Sequence, residues 1–503
     1  MSPARPPSSD DHDDDDAPPR PPAPRPDDSV AARRPADPDR TVPSVCLDVR
    51  DPTPTQVDVA VDAQIGRELA RDAAVQYSPL GPAEVRRVDP WLVAAILLLV
   101  GTGVVMVYSA SAVYAARKFG APDHFLRREV LWVTLGLGAM AFAARVDYAA
   151  YRRWVYPLLG TALFLLVAVL LVGVRINGAR RWFHLAGVSF QPAELAKLAM
   201  VIYLAYSLAK KTEKVRSFTI GFLPHMAVAG AMMLLLLKQP DLGTAVILGL
   251  TTMLLLFVAG ARISYILLAV LAAAPIVYQA IVGTPWRMQR MLAYLNPWLY
   301  RFGVGYQITE SLISIGSGGV TGLGLGDGKQ KLFFLPEAHT DYIGAILGEE
   351  LGMIGLWSVG LVFLVFLWRG VRASLKARDA FGCYLGFGIT ALVTLQAMTN
   401  LGVVLGALPT KGLPLPFISF GGSTLVVDLF ATGILLNLSR GAPEPTPGLR
   451  RPSPLAIFTD LLRGRGNRKR GRRVRLDTPV PLLGGRDDTQ PELALARATP
   501  HEG

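Results

Sequence analysis

Cysteine is scarce in this chain of 503 residues, which contains only Cys46 and Cys383. Cys46 lies in a polar, proline-rich stretch and Cys383 begins an apolar run, so a framework of disulfide bonds is not expected. The start of the chain also lacks a basic segment followed by an apolar core and a small-residue cleavage site. A cleaved signal peptide is therefore not expected either.

A nucleotide-binding motif is also missing. Alternate glycines in one loop superficially suggest such a motif, but they fit neither the G-x-G-x-x-G nor the Walker pattern, and no predicted strand precedes them. We interpret them as backbone bends that seat the loop on the rest of the protein. They are Gly322, Gly324, Gly326 and Gly328.

Charged residues are sparse in the middle of the chain, where one apolar run follows another. Hydrophobic residues make up 51% of the chain and its mean hydropathy is +0.36. Because roughly 20 apolar residues can cross a bilayer as a helix, the sequence predicts an all-α polytopic membrane protein with about ten transmembrane helices. The predicted spans are residues 91–110, 129–145, 155–174, 195–208, 220–237, 243–259, 264–282, 341–368, 381–406 and 420–438.

The two ends of the chain differ from this middle region. Residues 1–88 are rich in proline, aspartate and arginine and cannot bury enough apolar area to fold. Residues 441–503 carry a basic cluster, which attraction to anionic lipid headgroups explains better than nucleic acid, since no aromatic residues interleave with it. We predict two disordered tails flanking a membrane domain at residues 89–440.

Lysine and arginine are concentrated in alternate loops, which predicts the side that each loop faces. By this rule both termini are cytoplasmic, and the longest loop, residues 283–340 between the seventh and eighth predicted spans, is extracytoplasmic. A loop of that length within a bundle is usually functional. Outer-side cations that break the rule are candidates for binding an anion: Arg117, Lys118, Arg127, Arg128, Arg180 and Arg181.

Asp341 lies where this loop meets the predicted span 341–368. A carboxylate at a membrane mouth is costly unless it has a function, although capping a helix N-terminus is an alternative explanation. Glu349 and Glu350 lie deeper in the same span and are either functional or part of a structural ion pair. Glycines predicted to share a face with Asp341 would allow a second helix to approach: Gly344, Gly348, Gly352 and Gly355.

Three further outer-side motifs carry polar residues. Glu194 and Lys197 are i,i+3 neighbours on a helix whose first turn contains Pro192, so they form either a salt bridge or a phosphate contact. Asp241 lies in the short turn KQPDLGTA, where helix capping is one explanation. Residues 408–423 predict a rigid non-helical segment, which is tolerated near membrane depth mainly where protein or a wet cavity covers it.

These motifs together resemble the SEDS family of peptidoglycan polymerases, the FtsW/RodA proteins, over about residues 88–440. ARRW with QPAELAK, QPDLGTA, GYQ with IGSGG, LPEAHTDYI with GEELG, and PTKGLPLPFISFGGS follow the family's order and spacing. LPEAHTD and PTKGLPLP look like the division-type branch, FtsW. The chain departs from the family pattern by extra residues at 298–304, by Phe420 in place of the usual tyrosine and by Tyr342 in place of phenylalanine.

The resemblance implies an enzyme that polymerises lipid II, the undecaprenyl-pyrophosphate-linked disaccharide-pentapeptide. It also implies the bacterial inner membrane at the division septum as the location, and a class B penicillin-binding protein and other division proteins as partners. Inverting transfer to a sugar hydroxyl needs one general base. Because pyrophosphate leaves as a stable anion, cations can replace the second acid that hydrolytic enzymes use.

On this basis Asp341 is the predicted general base. Lys197, Arg180 and Arg181 are candidates to hold the pyrophosphate. Glu194 and Asp241 are predicted to orient Lys197 or to complete a polar cavity. Lys411 is a candidate contact for the second lipid, and His339 is grouped with the substrate-binding residues. A divalent cation such as Mg²⁺ or Mn²⁺ could assist, but no ligand spacing demands one.

Two alternative functions stay open. A transporter that flips lipid II would suit a many-helix bundle with buried glutamates and should tolerate loss of the Asp341 charge. A non-catalytic scaffold for a transpeptidase would depend on loop and helix surfaces instead of Asp341. Of these three functions, only that of a polymerase predicts a loss of glycan synthesis when Asp341 becomes asparagine.

Overall fold

A computed structural model describes residues 88–441, apart from residues 177, 186 and 187. The two predicted tails therefore lie outside the described residues, except for Val88 and Gly441. Most of the described chain is helical. The helices are α1 (Pro90–Phe119), α2 (His124–Arg145), α3 (Tyr151–Val172), α4 (Pro192–Lys210), α5 (Leu223–Lys238), α6 (Leu242–Val258), α7 (Ile263–Val282), α8 (Pro285–Leu295), α9 (Tyr306–Gly318), α10 (Ile343–Glu350), α11 (Gly352–Leu375), α12 (Ala380–Val404) and α13 (Gly422–Ser439).

Eight helical segments in this part of the chain are long and apolar enough to cross a membrane. They comprise α1, α4, α7, α11, α12, α13, α3 with the short turn before it, and α5 with the π-helical turn before it. The helix α6 is also apolar but has 17 residues, and α2 carries Arg127, Arg128 and Glu129 near its start. The prediction of a helical polytopic membrane protein is confirmed, and the number of about ten spans stays a prediction.

The predicted span 341–368 is wrong as a single helix. It consists of α10 and α11, which are separated at Leu351 and Gly352, and α11 continues to Leu375. Gly352 has a φ of 69°, and a Cβ at this position would collide with the backbone of Gly322. A glycine is required because another loop packs into the break. The predicted glycine face therefore does not continue from α10 into α11.

A three-stranded antiparallel sheet between α3 and α4 is absent from the sequence prediction. Its strands are β1 (Val174–Ile176), β2 (Ala179–Leu185) and β3 (Val188–Phe190), in the order β1-β2-β3. Because successive side chains of a strand point to opposite faces, the neighbouring Arg180 and Arg181 in β2 are directed to different sides.

The long predicted loop, residues 283–340, contains helices α8 and α9. Its glycine-rich part bends back onto the bundle, with positive φ at Gly322, Gly324 and Gly326. The backbone N–H groups of Leu323 and Gly324 each donate a 3.0 Å hydrogen bond to a carbonyl at the end of α10. These bonds satisfy helix-end acceptors that would otherwise lack partners. The interpretation of the glycines as bends that seat the loop is confirmed for Gly322, Gly324 and Gly326.

The centre of the bundle is formed by α4, α12 and α13, most of whose side chains are buried. A Cβ at Gly433 in α13 would collide with the backbone of Met140 in α2, and a Cβ at Gly103 in α1 would collide with the backbone of Phe417. The segment before α13 therefore packs directly on α1. It is non-helical from residue 409 to 421 and buries Leu413 there. This confirms the prediction of a non-helical segment covered by protein, and its rigidity stays a prediction.

Candidate active site

Asp341 lies in a turn that precedes α10. The carbonyl of Glu337 accepts hydrogen bonds from the backbone N–H groups of Thr340 and Tyr342, both at 3.2 Å. The hydroxyl of Thr340 donates to the Glu337 carboxylate at 2.8 Å. The N-cap of α10 is Tyr342, without a side-chain capping bond, so Asp341 does not cap this helix. Among the described residues no donor bonds the Asp341 carboxylate, so its lone pairs have no partner within this part of the protein.

Asn400 in α12 holds the Asp341 turn in place. Its side-chain nitrogen donates to the backbone carbonyl of Asp341 at 2.8 Å and to that of Leu413 at 2.7 Å. One amide thus joins the turn to the rigid segment before α13. In that segment a Cβ at Gly412 would lie 3.0 Å from the Asp341 carboxylate. Asn400 was not predicted as a site residue. The sequence feature that could have indicated it is a polar amide within an apolar run.

Replacing Asn400 with leucine should leave two partly or fully buried carbonyls without their donor, at a cost of about 1–3 kcal/mol each. Because a small misplacement of a catalytic group can lower turnover about 10²-fold, we expect a fall of that order in the rate of the reaction that uses Asp341. The matched control is Thr399→Val, since the Thr399 hydroxyl bonds only to Leu395 within α12. Equal rates and melting temperatures for N400L and the control would contradict an anchoring role.

Charged groups of both signs influence the Asp341 carboxyl. Burial, followed by the negative charge of Glu337, raises the pKa of Asp341 to about 7, and Asp241 acts in the same direction. The guanidinium groups of Arg181 and Arg290 act in the opposite direction and lower this pKa. The pKa of the Asp341 carboxyl therefore lies near neutral pH, where a general base is most effective.

The two predicted arginines of β2 have different positions. Arg181 donates to the backbone carbonyls of Gln239, at 3.0 Å, and Pro240, so it holds the turn before α6 next to the site. Arg180 donates at 3.2 and 3.1 Å to the carbonyls of Leu170 and Leu171 at the end of α3. The structure therefore brings Arg181 to Asp341 and uses Arg180 to bind a helix end.

Asp241 and Lys411 come from two different loops and share one electrostatic environment. Asp241 is buried and caps α6 by accepting from the backbone N–H of Thr244 at 3.1 Å and from its hydroxyl at 2.8 Å. Burial lowers the pKa of Lys411, while the Asp241 carboxylate raises it. Lys411 makes no hydrogen bond or ion pair within the described residues, so its ammonium group is available to an anion.

Glu194 and Lys197 form the predicted salt bridge, with Lys197 Nζ 2.8 Å from Glu194 Oε2. Their side chains are only 3% and 2% exposed, and both are buried in the bundle. Asp428 of α13 is buried beside them, an acid that the sequence prediction did not include. No hydrogen bond or ion pair in the described chain joins this cluster to Asp341. A contact between Lys197 and pyrophosphate stays a prediction.

His339 lies in an aromatic cluster two residues before Asp341. Its ring lies 4.8 Å from that of Phe125, 5.8 Å from that of Tyr114 and 6.0 Å from that of Phe420. The backbone N–H of Phe420 donates to its carbonyl at 3.0 Å. Burial lowers the pKa of His339, which favours the neutral ring. The ring contacts and the Phe420 hydrogen bond hold this part of the loop next to Asp341.

Two arginines of α8 belong to the site although they were not among the predicted site residues. Arg290 lowers the pKa of Asp341, and Arg287 lies within electrostatic reach of Arg181. Both guanidinium groups lie over the ring of Trp286, at 5.0 Å for Arg287 and 5.2 Å for Arg290. Their position in the long loop was the only indication of them in the sequence. The position of α8 in the fold is what brings them to Asp341.

Metal ligands were not assigned from the sequence. Among residues 88–441, no group of three or more histidine, cysteine, aspartate or glutamate side chains is arranged to hold a metal ion. An assisting divalent cation stays a prediction.

The fold and this site define a polytopic membrane protein in which the carboxylate of Asp341 accepts no hydrogen bond from the described residues and lies within electrostatic reach of Arg181 and Arg290. The family model of the FtsW, RodA and SpoVE cell cycle proteins matches residues 90–443. The chain belongs to this family, which confirms the resemblance found in its motifs.

Several relatives are similar over nearly their whole length. A probable peptidoglycan glycosyltransferase FtsW of Geobacter sulfurreducens is 48% identical over 369 residues, which cover 72% of this chain and 99% of the relative. Stage V sporulation protein E of Bacillus subtilis is 44% identical over 354 residues, covering 70% and 96%.

Two solved structures have the same fold. One, described as "Structural coordination of polymerization and crosslinking by a peptidoglycan synthase complex", has a TM-score of 0.60 and 29% identity, covering 70% of this chain and 98% of that chain. The other, the rod shape determining protein RodA of Thermus thermophilus, has a TM-score of 0.51 and 28% identity, covering 71% and 98%.

Proposed function

We propose that this protein is a peptidoglycan glycosyltransferase that polymerises lipid II during cell division, with Asp341 as its general base. The family and the names of the relatives identify the enzyme class. The observation that supports the role of Asp341 is its free carboxylate among cations. A carboxylate with a purely structural role would accept hydrogen bonds, whereas one that takes a substrate proton needs an open lone pair.

The proposed reaction joins C1 of the growing glycan to the 4-hydroxyl of an incoming glucosamine. The hydroxyl oxygen bonds to C1 as its proton passes to the Asp341 carboxylate, and the bond from C1 to the pyrophosphate oxygen breaks. An α-linked donor then gives a β-linked product. The raised pKa of Asp341 increases its strength as a base, and its value near 7 keeps a large fraction deprotonated at neutral pH.

The departing undecaprenyl pyrophosphate needs positive charge instead of a proton donor. Arg181 retains an unbonded Nη1 within the described residues. Arg290 lies within electrostatic reach of Asp341 and Lys411 within reach of Asp241, and neither cation has an ion-pair partner in the described chain. Preorganised cations stabilise charge that develops on a leaving group. We assign these three side chains, with Arg287 as a neighbour, to the pyrophosphate or to the second lipid.

The family supports a proposal about the cellular setting. We propose that the protein lies in the bacterial cytoplasmic membrane at the division septum, with both termini in the cytoplasm. A class B penicillin-binding protein that crosslinks the new strands is the proposed partner, since one structural relative belongs to a complex of polymerisation and crosslinking.

The proposal can be tested with purified protein in neutral-lipid vesicles. Lipid II supplied in the same leaflet as the outer loops should be converted to a ladder of glycan strands on a gel. A flippase would instead move labelled lipid II between leaflets without making strands, and a scaffold would do neither. Absence of strands from well-folded protein, with and without its transpeptidase partner, would refute the assignment.

The pH dependence of polymerisation gives a second test. Because Asp341 must be deprotonated to accept a proton, the rate should rise with pH through about 7. Glu337 raises the pKa of Asp341, so Glu337→Gln should move this rise to lower pH. Asp327→Asn, an exposed change in the same loop, should leave it in place. A rise that moves to higher pH in E337Q would contradict the assignment.

A further inference from the structure

The end of α1 and the loop before Asp341 form a surface of exposed rings and cations. We define this α1 surface by Arg117, Lys118, Phe119 and Phe333. The rings of Phe119 and Phe333 are each 46% exposed. The Arg117 guanidinium lies 4.9 Å from the centre of the Phe333 ring, and Lys118 Nζ lies 5.6 Å from that of Phe119.

The α1 surface is continuous with the candidate active site. Phe119 lies 5.9 Å from Phe125, whose ring lies 4.8 Å from that of His339. His339 precedes Asp341 by two residues, so their Cα atoms are at most about 7 Å apart. The charge of Lys118 also acts on His339. A polymer that leaves the active site on this side would meet the α1 surface next.

Phe333 has an unusual backbone conformation, with a φ of 71°. This left-handed region is uncommon for any residue except glycine and is a genuine outlier for a bulky side chain. Such conformations persist where surrounding contacts impose them, and they cluster at functional sites. Here the strain presents a large apolar ring to the outside of the protein beneath the Arg117 guanidinium instead of burying it.

The cations of the α1 surface are not neutralised by the protein. Neither Arg117 nor Lys118 forms an ion pair within residues 88–441, and the Lys118 ammonium instead donates to the Tyr114 hydroxyl at 2.8 Å. Both residues belong to the outer-side cations that break the charge rule for loops. Their positive charge is therefore available to an external anion.

We propose that the α1 surface binds the growing glycan strand beside the catalytic centre, an inference that rests on the proposed function. The Phe119 ring stacks on that of His124 with centres 4.1 Å apart, which occupies one of its faces. The faces of sugar rings are apolar and are removed from water when they pack on the exposed parts of Phe119 and Phe333. The peptides attached to the strand carry free carboxylates, which Arg117 and Lys118 pair with. A surface that holds the product in this way favours repeated additions to one strand over its release.

Direct binding tests this proposal without requiring turnover. Full-length protein in phosphatidylcholine nanodiscs is titrated with lipid-free, uncrosslinked glycan strands, with and without their peptides. The double variant Arg117→Gln, Lys118→Gln should bind peptide-bearing strands about tenfold more weakly, the effect of two exposed charge pairs. It should bind peptide-free strands like the wild type. Phe119→Ala should weaken the binding of both kinds of strand.

Matched controls carry the same changes elsewhere. The double variant Arg372→Gln, Lys376→Gln removes two exposed cations at the far end of α11, and Phe164→Ala removes an exposed ring from α3. Both should bind strands like the wild type. During polymerisation of lipid II, the α1-surface variants should make shorter strands, while the controls should make strands of wild-type length.

The outcomes separate this proposal from the proposed function. Wild-type protein that polymerises lipid II but binds strands no better than its α1-surface variants would overturn the glycan surface alone. If the variants lose binding only to vesicles that contain anionic lipid, the α1 surface binds lipid headgroups. That result would also overturn the proposed glycan surface. Strand binding without polymerisation would support the surface and refute the catalytic function.

Discussion

Replacing Asp341 with asparagine is expected to slow glycan polymerisation by about 10²–10⁴-fold, the usual contribution of a positioned general base. Asparagine has nearly the same shape, but its amide does not take a proton near neutral pH. The change should leave the fold intact, because the Asp341 carboxylate accepts no hydrogen bond within residues 88–441 and the turn is held through its backbone carbonyl by Asn400. Initial rates of strand formation from lipid II give the measurement.

Asp327→Asn is the matched control for this experiment. Asp327 is an exposed carboxylate in the same loop, without a hydrogen bond from its side chain to the described residues, so its loss should change the rate less than twofold. The melting temperature and the binding of lipid II should be the same in all three proteins. Strand ladders of equal intensity from wild-type protein and D341N would remove Asp341 from the chemistry.

The sequence predicted the membrane helices well because their signal is local. An apolar run of sufficient length must form its own backbone hydrogen bonds in a bilayer. Each predicted span except 341–368, which covers two helices, falls on one helical segment. The break between α10 and α11 was missed because the run remains apolar through Leu351 and Gly352. Only the glycine loop from residue 322 onward, distant in sequence, explains why the helix is interrupted there.

The candidate site shows the same division between local and distant information. Asp341 could be selected from its position between a polar loop and an apolar run, and the pair Glu194 and Lys197 from its helical spacing. Successive side chains of β2 point to opposite faces, so Arg181 reaches the site and Arg180 does not. No strand was predicted at this position from the sequence. Arg290 depends on where α8 lies, which packing determines.

A second large effect is expected from the buried ion pair behind the active site. Lys331 Nζ lies 2.6 Å from the Glu350 carboxylate, with exposed fractions of 6% and 0%, and Ser109 also donates to Glu350 at 2.7 Å. Removing one partner of such a pair strands a buried charge and costs about 3–5 kcal/mol. Lys331→Met should therefore lower the thermal unfolding midpoint of the purified protein by several degrees.

The same substitution should also slow polymerisation. Glu350 ends α10, and Glu349 beside it accepts the backbone N–H of Lys329 at 2.7 Å, so these two glutamates fix one end of the short helix whose other end follows Asp341. Loosening this end should let the Asp341 turn shift relative to Asn400.

Two variants test this explanation. Lys331→Met combined with Glu350→Gln removes both charges and should recover much of the lost stability, because glutamine can still accept from Ser109. Lys329→Met removes an exposed cation from the same loop, and its backbone bond to Glu349 is retained, so it should resemble the wild type. A double variant no more stable than K331M would show that the lost stability comes from lost packing instead of an unpaired charge. The ion pair would then affect Asp341 only through the position of α10.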